Sequence, residues 1–188
     1  MEKILQALNK PGEAFRAINN RWVAWGLVFL TILCNTILEP ILKIAQGNTN
    51  YTWNWQGTLL AVVLSMATYI VITVVFWLVC KCFGSRTPYS RYLCTWGLTY
   101  FPTLLCAVVV AVTETYFYLF WNSVAWGLVF NILFGGILLW KTVLYVVYLR
   151  EVAELKRGKT VGAFIIIGIF IILLAMLNGY VGIKTPVL

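Results

Sequence analysis

The sequence contains no histidine and no aspartate, and six glutamates are all the acidic residues among its 188 positions. Without histidine there is no Ser-His-Asp triad and no imidazole-ligated zinc. Without aspartate there is no EF-hand loop of the usual type, Walker-B carboxylate or kinase catalytic loop. A cysteine nucleophile would also lack a histidine base. We therefore expect no enzyme activity, no catalytic residue, no metal ligand and no cofactor.

Charge is scarce as well. Charged residues make up 11% of the chain and hydrophobic residues 62%, whereas a soluble domain carries about 25% charged residues. A water-soluble globule and a disordered chain are both excluded, since disorder requires low hydrophobicity. The formal net charge is +8. Its basic residues flank apolar runs, which indicates an anionic membrane surface as partner rather than nucleic acid.

Long apolar runs are what the chain does have. A helix needs about 20 predominantly apolar residues to cross a bilayer. The sequence predicts an all-α polytopic membrane bundle with five transmembrane helices and short loops. Because the fourth run is long, we expect it to tilt or to begin at the interface near 116–121. The five predicted spans are residues 22–45, 57–80, 92–114, 120–149 and 161–180.

Lysine and arginine are distributed unevenly between the loops. They cluster before the first span, between spans two and three, and between spans four and five, while the opposite side has little beyond Lys43 and Lys184. The positive-inside rule then predicts a cytoplasmic N-terminus and an outside C-terminus. Within residues 1–21, apolar side chains recur at steps of three and four, which is typical of an amphipathic helix. This segment either lies on the cytoplasmic leaflet or caps the bundle that residues 22–188 form.

Five cysteines are present, and Cys80, Cys82 and Cys94 gather near the inner ends of spans two and three. A thiolate metal site or a lipidation site would use such residues. Cysteine also serves as a small apolar residue in membrane helices. We favour the second interpretation, because no histidine completes a metal site.

Polar residues inside the predicted spans form a second pattern, which we call the polar seam. Glu39 precedes Lys43 by one helical turn, which predicts an ion pair, and Pro40 frees a carbonyl one turn back. The seam either lines a pathway or cavity, or binds helices together, which is the commoner role of such residues. Lys141 is expected to extend to the headgroups. The polar seam consists of Asn35, Glu39, Thr99, Thr103 and Asn131.

Charged residues between spans four and five predict a partner-facing surface, which we call the basic surface. Residues 150–157 are expected to continue span four as a charged helix that Gly158 ends. The same residues would serve as a topology anchor on lipid phosphates. The basic surface, with the loop before span three, consists of Arg86, Arg91, Arg150, Glu154, Lys156, Arg157 and Lys159.

Short motifs along residues 11–175 resemble the prokaryotic members of the Yip-domain family, the Ypt/Rab-interacting protein family of five-span membrane proteins. The first segment, the third span and the junction of spans four and five carry the resemblance. These motifs are Pro11-Gly12-Glu13-Ala14-Phe15 with Ile18, Arg91-Tyr92 through Phe101-Pro102, Leu139-Trp140, Leu149-Arg150-Glu151-Val152, and Gly158-Lys159-Thr160 with Ala163.

The resemblance implies an integral membrane protein without known catalysis. Eukaryotic relatives act in vesicle traffic between endoplasmic reticulum and Golgi and associate with Rab-type GTPases, and some bacterial relatives work beside ABC-type exporters. The chain shows no Asp-Leu-x-Gly-Pro motif and no long cytosolic N-terminal region, so we expect a prokaryotic cytoplasmic membrane, with an ER or Golgi membrane as the alternative.

Two functions are consistent with these observations. The first is a non-enzymatic scaffold or accessory subunit that binds other membrane proteins, in membrane traffic or beside an exporter. The alternative is a small permeation or lipid-handling protein that uses the polar seam around Glu39. Gly135 and Gly136 would allow close helix contact within one chain or in a homo-oligomer.

Overall fold

Five long helices make up most of the part of the chain that the structure describes. The computed structural model describes residues 11–16, 21–47, 52–117 and 123–180. The five predicted spans are confirmed, with their bounds shifted by a few residues: each is a helix long and apolar enough to cross a membrane. Residues 118–122, where the fourth span was expected to begin, lie outside the described part. The spans are Trp22–Ala45, Trp55–Cys82, Tyr89–Tyr116, Val124–Glu151 and Arg157–Tyr180.

Span one contains a π-helical turn over Cys34–Leu38, between α-helices Arg21–Leu33 and Glu39–Ala45. Pro40 explains its position, because proline has no N–H to donate to the carbonyl one turn back and its ring crowds that carbonyl. Widening the preceding turn relieves the crowding. The hydroxyl of Thr36 donates to the carbonyl of Ile32 at 2.8 Å within this turn.

Span three is also irregular. A 3₁₀ segment, Trp96–Tyr100, separates the α-helices Tyr89–Thr95 and Phe101–Tyr116, and Pro102 lies in the first turn of the second helix. At Gly97 the backbone approaches span one so closely that an added Cβ would lie 2.3 Å from the carbonyl oxygen of Ala24. Only glycine allows two helix backbones to meet at this distance.

The core lies toward one end of the bundle and contains a cluster of aromatic rings. Trp96 stacks on Tyr145 with ring centroids 4.8 Å apart, and Phe76 lies 4.0 Å from Trp96. Tyr148, fully buried, meets both Trp96 and Phe76 edge to face. Spans two, three and four are thereby joined by aromatic contacts that add to the area they bury.

The short helix Pro11–Arg16 packs against the same end of the bundle. Phe15 is buried and contacts Tyr148 edge to face at 5.3 Å. Arg16 Nε donates to the carboxylate of Glu151, the last residue of span four, at 2.5 Å. Residues 11–16 therefore pack on the end of the bundle, and we call them the cap. Residues 1–10 and 17–20 of the predicted segment lie outside the described part.

Span five is the most peripheral helix. In the 18-residue apolar stretch of each span, 17% of the residues are buried in span five and 56% in span three. Residues 161–177 also carry no hydrogen-bonding side chain, which suits contact with lipid. Just beyond that stretch, the side-chain amide oxygen (Oδ1) of Asn178 accepts a 3.3 Å hydrogen bond from the hydroxyl of Thr68 in span two. This buried contact joins the two helices.

Candidate functional site

Two loops meet at the end of the bundle that Pro11–Arg16 caps, which we call the basic end. The hydroxyl of Thr87, between spans two and three, donates to the carbonyl of Val152, between spans four and five, at 2.8 Å. Arg91 forms an ion pair with Glu154 at 3.6 Å. Because the loops are held together by these contacts, they form one surface rather than two independent segments.

The predicted charged helix over residues 150–157 is wrong. Span four ends at Glu151, a turn follows, and the next helix begins at Arg157, so Gly158 lies inside span five. Apolar side chains explain the difference. Val152 and Ala153 are fully buried and Leu155 nearly so, so the chain folds back onto the bundle instead of extending away from it. Glu154 turns it with a φ of 56°.

The basic surface keeps most of its charges accessible. Arg91 is half-buried in its contact with Glu154, and the other members are exposed. Glu151, beside this surface, is paired with Arg16 of the cap. Its carboxylate raises the pKa of Arg16, mainly by accepting its hydrogen bond and further by its negative charge. The arrangement suits anionic groups, either lipid phosphates or acidic side chains of a protein. The exposed members are Arg86, Arg150, Glu154, Lys156, Arg157 and Lys159.

The first part of the polar seam lies in span one. The predicted ion pair is confirmed: Lys43 Nζ donates to a carboxylate oxygen of Glu39 at 2.5 Å. Both side chains are partly shielded, with 32% and 18% of their surface exposed. Asn35 is half-buried within the π-helical turn. A charged pair and an amide therefore lie within two turns of one another, next to Pro40.

The second part of the seam lies in spans three and four. Thr99 and Thr103 are both buried, and Thr99 donates to the carbonyl of Trp96 in its own helix at 2.8 Å. Thr103 accepts a hydrogen bond from Lys141 of span four. Asn131 is exposed on the outer face of span four. The structure thus brings Thr103 of span three into contact with Lys141 of span four. Asn131 of span four is exposed, whereas the two threonines of span three are buried.

Lys141 is the residue that sequence reasoning missed. It does not extend to the headgroups as expected: it is 2% exposed, and its ammonium lies 5.5 Å from the ring of Tyr100 and 5.7 Å from that of Tyr145. The sequence did contain a signal. Lys141 lies about 15 Å along the helix axis from the end of span four, farther than a lysine stem reaches. A buried cation near mid-span requires protein partners.

The cysteines near the basic end occupy different environments. Cys80 is buried, Cys82 is exposed and Cys94 is half-buried. In the part of the chain that the structure describes, no group of three or more histidine, cysteine or acidic side chains is placed to hold a metal ion. Cys82 is the thiol of the three that a reagent in water or at the headgroups could reach.

A family model described as the Yip1 domain matches residues 5–177 of the chain. The match takes in the cap, all of spans one to four and most of span five, together with both loops of the basic end. No curated protein matches the chain, and no solved structure does. The match agrees with the family resemblance that the sequence motifs indicated.

Proposed function

The chain belongs to the Yip1 domain family of multi-pass membrane proteins, and from that membership we propose that it is a non-enzymatic scaffold or accessory subunit. It would bind other membrane proteins and act in membrane traffic or beside an exporter. The proposed location is a prokaryotic cytoplasmic membrane, with the basic end in the cytoplasm, as the positive-inside rule requires.

The joined loops at the basic end are the observation that carries the proposal. Thr87 and Val152 lock the two loops together, and Arg91 and Glu154 reinforce the contact. A surface fixed before binding loses little conformational entropy when a partner docks. Around it lie exposed cations that are suited to acidic side chains of a partner.

The competing role of these cations is to anchor the chain to anionic headgroups. A triple variant, Arg150→Gln with Lys156→Gln and Arg157→Gln, removes three exposed charges and leaves the Arg91–Glu154 and Arg16–Glu151 pairs in place. A charge-conserving control exchanges arginine and lysine at the same three positions. We expect a partner that co-purifies in mild detergent with the native chain and the control to be lost from the triple variant.

Cys82 serves as the topology control in this experiment. A membrane-impermeant maleimide should label it only after cells are opened, in the native chain and in both variants. Loss of the partner with unchanged Cys82 labelling would support the scaffold function. If the triple variant retains the partner, the exposed cations do not bind it and the proposal fails. If Cys82 becomes accessible from outside, these cations act as a topology anchor and the proposal also fails.

The second candidate function, permeation or lipid handling, rests on the Glu39–Lys43 pair beside a π-helical turn. Such turns occur frequently at functional sites. In vesicles that contain only this protein, ion flux or lipid movement should then occur and should be abolished by Glu39→Gln. Thr36→Val, in the same turn, is the matched control. Vesicles without activity would exclude this function.

A further inference from the structure

A groove between spans four and five is separate from both the basic surface and the polar seam. It has a volume of about 240 Å³ and is closed on its inner side by Phe76 of span two. That volume is roughly eight times the share of one water molecule in the liquid. The groove is therefore large enough for a molecular segment rather than a single solvent molecule.

The lining of the groove is suited to hydrocarbon. Leu138 and Leu149 of span four face Phe164 and Ile171 of span five across it. Lys141 also lines the groove, but its ammonium donates to Thr103 of span three, which does not. Its methylene stem is therefore the part that faces the groove. Water would find few hydrogen-bonding partners here.

The groove opens toward the bilayer and runs along the helices. Leu138 and Ile172 belong to its lining, yet they are 52% and 62% exposed, so they flank an opening on the lipid-facing surface. From Leu138 to Leu149 it extends about 16 Å along span four. This is the direction in which lipid chains lie, and Leu149 brings the groove close to the basic end.

Arg157 begins span five, on the same helix face as two residues that line the groove. Arg157, Phe164 and Ile171 follow each other at intervals of seven residues, which places them on one face of span five. Arg157 is exposed at the first position of that helix, about 10 Å from Phe164 along the axis. A negative phosphate at this position would therefore meet a guanidinium, which binds phosphate well.

We propose that the groove between spans four and five binds one acyl chain of an anionic phospholipid, whose phosphate contacts Arg157. The apolar lining accepts the chain, the opening between Leu138 and Ile172 admits it from the bilayer, and Arg157 selects the headgroup. The site shares Arg157 with the basic surface, whereas no member of that surface lines the apolar groove itself.

Gly168 offers a way to fill the groove without disturbing its walls. It lines the groove, and an added Cβ would meet nothing within 4 Å. Gly168→Leu therefore places a side chain in the space that the lipid would occupy. Gly179→Leu is the matched control, because Gly179 on the same helix also has open space beside it and does not line the groove.

The full chain would be reconstituted with phosphatidylglycerol that carries a photoreactive diazirine in one acyl chain, and the adducts mapped by mass spectrometry. We expect adducts on residues 164–172 to fall about tenfold in Gly168→Leu, equivalent to about 1.4 kcal/mol, and to persist in Gly179→Leu. A phosphatidylcholine probe of the same chain should label this segment less than phosphatidylglycerol does, and Arg157→Gln should remove the difference.

A second pair of variants keeps the test decisive if Gly168→Leu does not fold. Ile172→Trp narrows the opening, and Leu177→Trp adds the same ring at a similarly exposed position outside the groove. Equal labelling in both members of each pair would overturn the proposal, since it would indicate lipid that surrounds the bundle without a site. Equal labelling by the two headgroups would overturn the choice of an anionic lipid.

Discussion

The two halves of span four differ in charge and in packing, and Lys141, Arg150 and Glu151 all lie in the half that ends at the basic end. In the half that ends at the basic end, Tyr145, Tyr148 and Leu149 are buried and joined to aromatic residues of spans two and three. In the other half Phe130 is buried, and Gly135 and Gly136 have open space beside them. Lipid tails are as apolar as leucine, so hydrophobicity alone does not draw a membrane helix into a bundle. Aromatic shape and hydrogen bonding decide which half packs.

The largest expected effect comes from closing the tightest contact of the packed region. Gly97→Ala would place a methyl group against the backbone of Ala24 and force spans one and three apart. We expect a loss of about 4 kcal/mol or more, enough to prevent folding. Gly135→Ala, in the open half, should change stability by no more than about 0.5 kcal/mol. Thermal aggregation in detergent, followed by gel filtration, compares the two; similar behaviour would contradict the contrast between the halves.

Truncating a ring is the next test of the comparison. Tyr148 is fully buried and contacts Phe15, Phe76 and Trp96, so Tyr148→Ala should cost about 3–5 kcal/mol. Trp126 of the open half is 43% exposed, and Trp126→Ala should cost clearly less. Unfolding with increasing SDS, followed by circular dichroism, measures both variants. A larger cost at Trp126 would show that the open half is packed in the membrane by contacts absent from the single chain.

The hydrogen bond between Thr103 and Lys141 tests the polar contribution to packing. Thr103→Val keeps the shape but removes an acceptor of the buried ammonium, which should cost about 1–3 kcal/mol. Thr142→Val is the matched control, because the hydroxyl of Thr142 donates to Leu138 in its own helix and should contribute about 0.6 kcal/mol or less. The same SDS titration separates them. Equal costs would mean that the ammonium is satisfied without Thr103.

The smallest effect is expected at the outer surface of the packed half. Arg16→Gln removes the ion pair with Glu151, but the Arg16 side chain is 71% exposed, so stability should fall by less than in Thr103→Val. Because the carboxylate of Glu151 raises the pKa of Arg16, the guanidinium keeps its positive charge as the pH is raised. The difference from the native chain should vanish at 1 M salt, where charges are screened within about 3 Å. A difference that survives high salt would indicate packing of the arginine stem instead.

The sequence predicted the spans well, because hydropathy over twenty residues depends on composition and not on contacts. It predicted the loop after span four wrongly. There Val152, Ala153 and Leu155 alternate with charged residues, and their burial depends on the space that Tyr148 and the cap leave at the end of the bundle. The contact of Lys141 with Thr103 could not be predicted from the sequence either, because Thr103 lies 38 positions earlier in another span.

The candidate surfaces were partly predictable for the same reason. Charge clustering found the basic surface, and its exposed members require no tertiary information. The polar seam required knowledge of which face of each helix turns inward. Asn131 and Phe130 are neighbours, and the ring is buried while the amide is exposed. Helix rotation is set by the aromatic contacts of spans two, three and four, and a stretch of uniformly apolar sequence carries little information about it.

The docking of Pro11–Arg16 on the end of span four also sets an order of assembly. Arg16 and Glu151 are separated by 135 residues, so the ribosome makes the cap long before its binding site. At about 5–20 residues per second, the interval is on the order of ten seconds. Spans one to three are synthesised during that time, while Phe15 has no Tyr148 to cover it. The cap is thus among the first segments made and among the last to reach its native contacts. It can dock only after span four is in place.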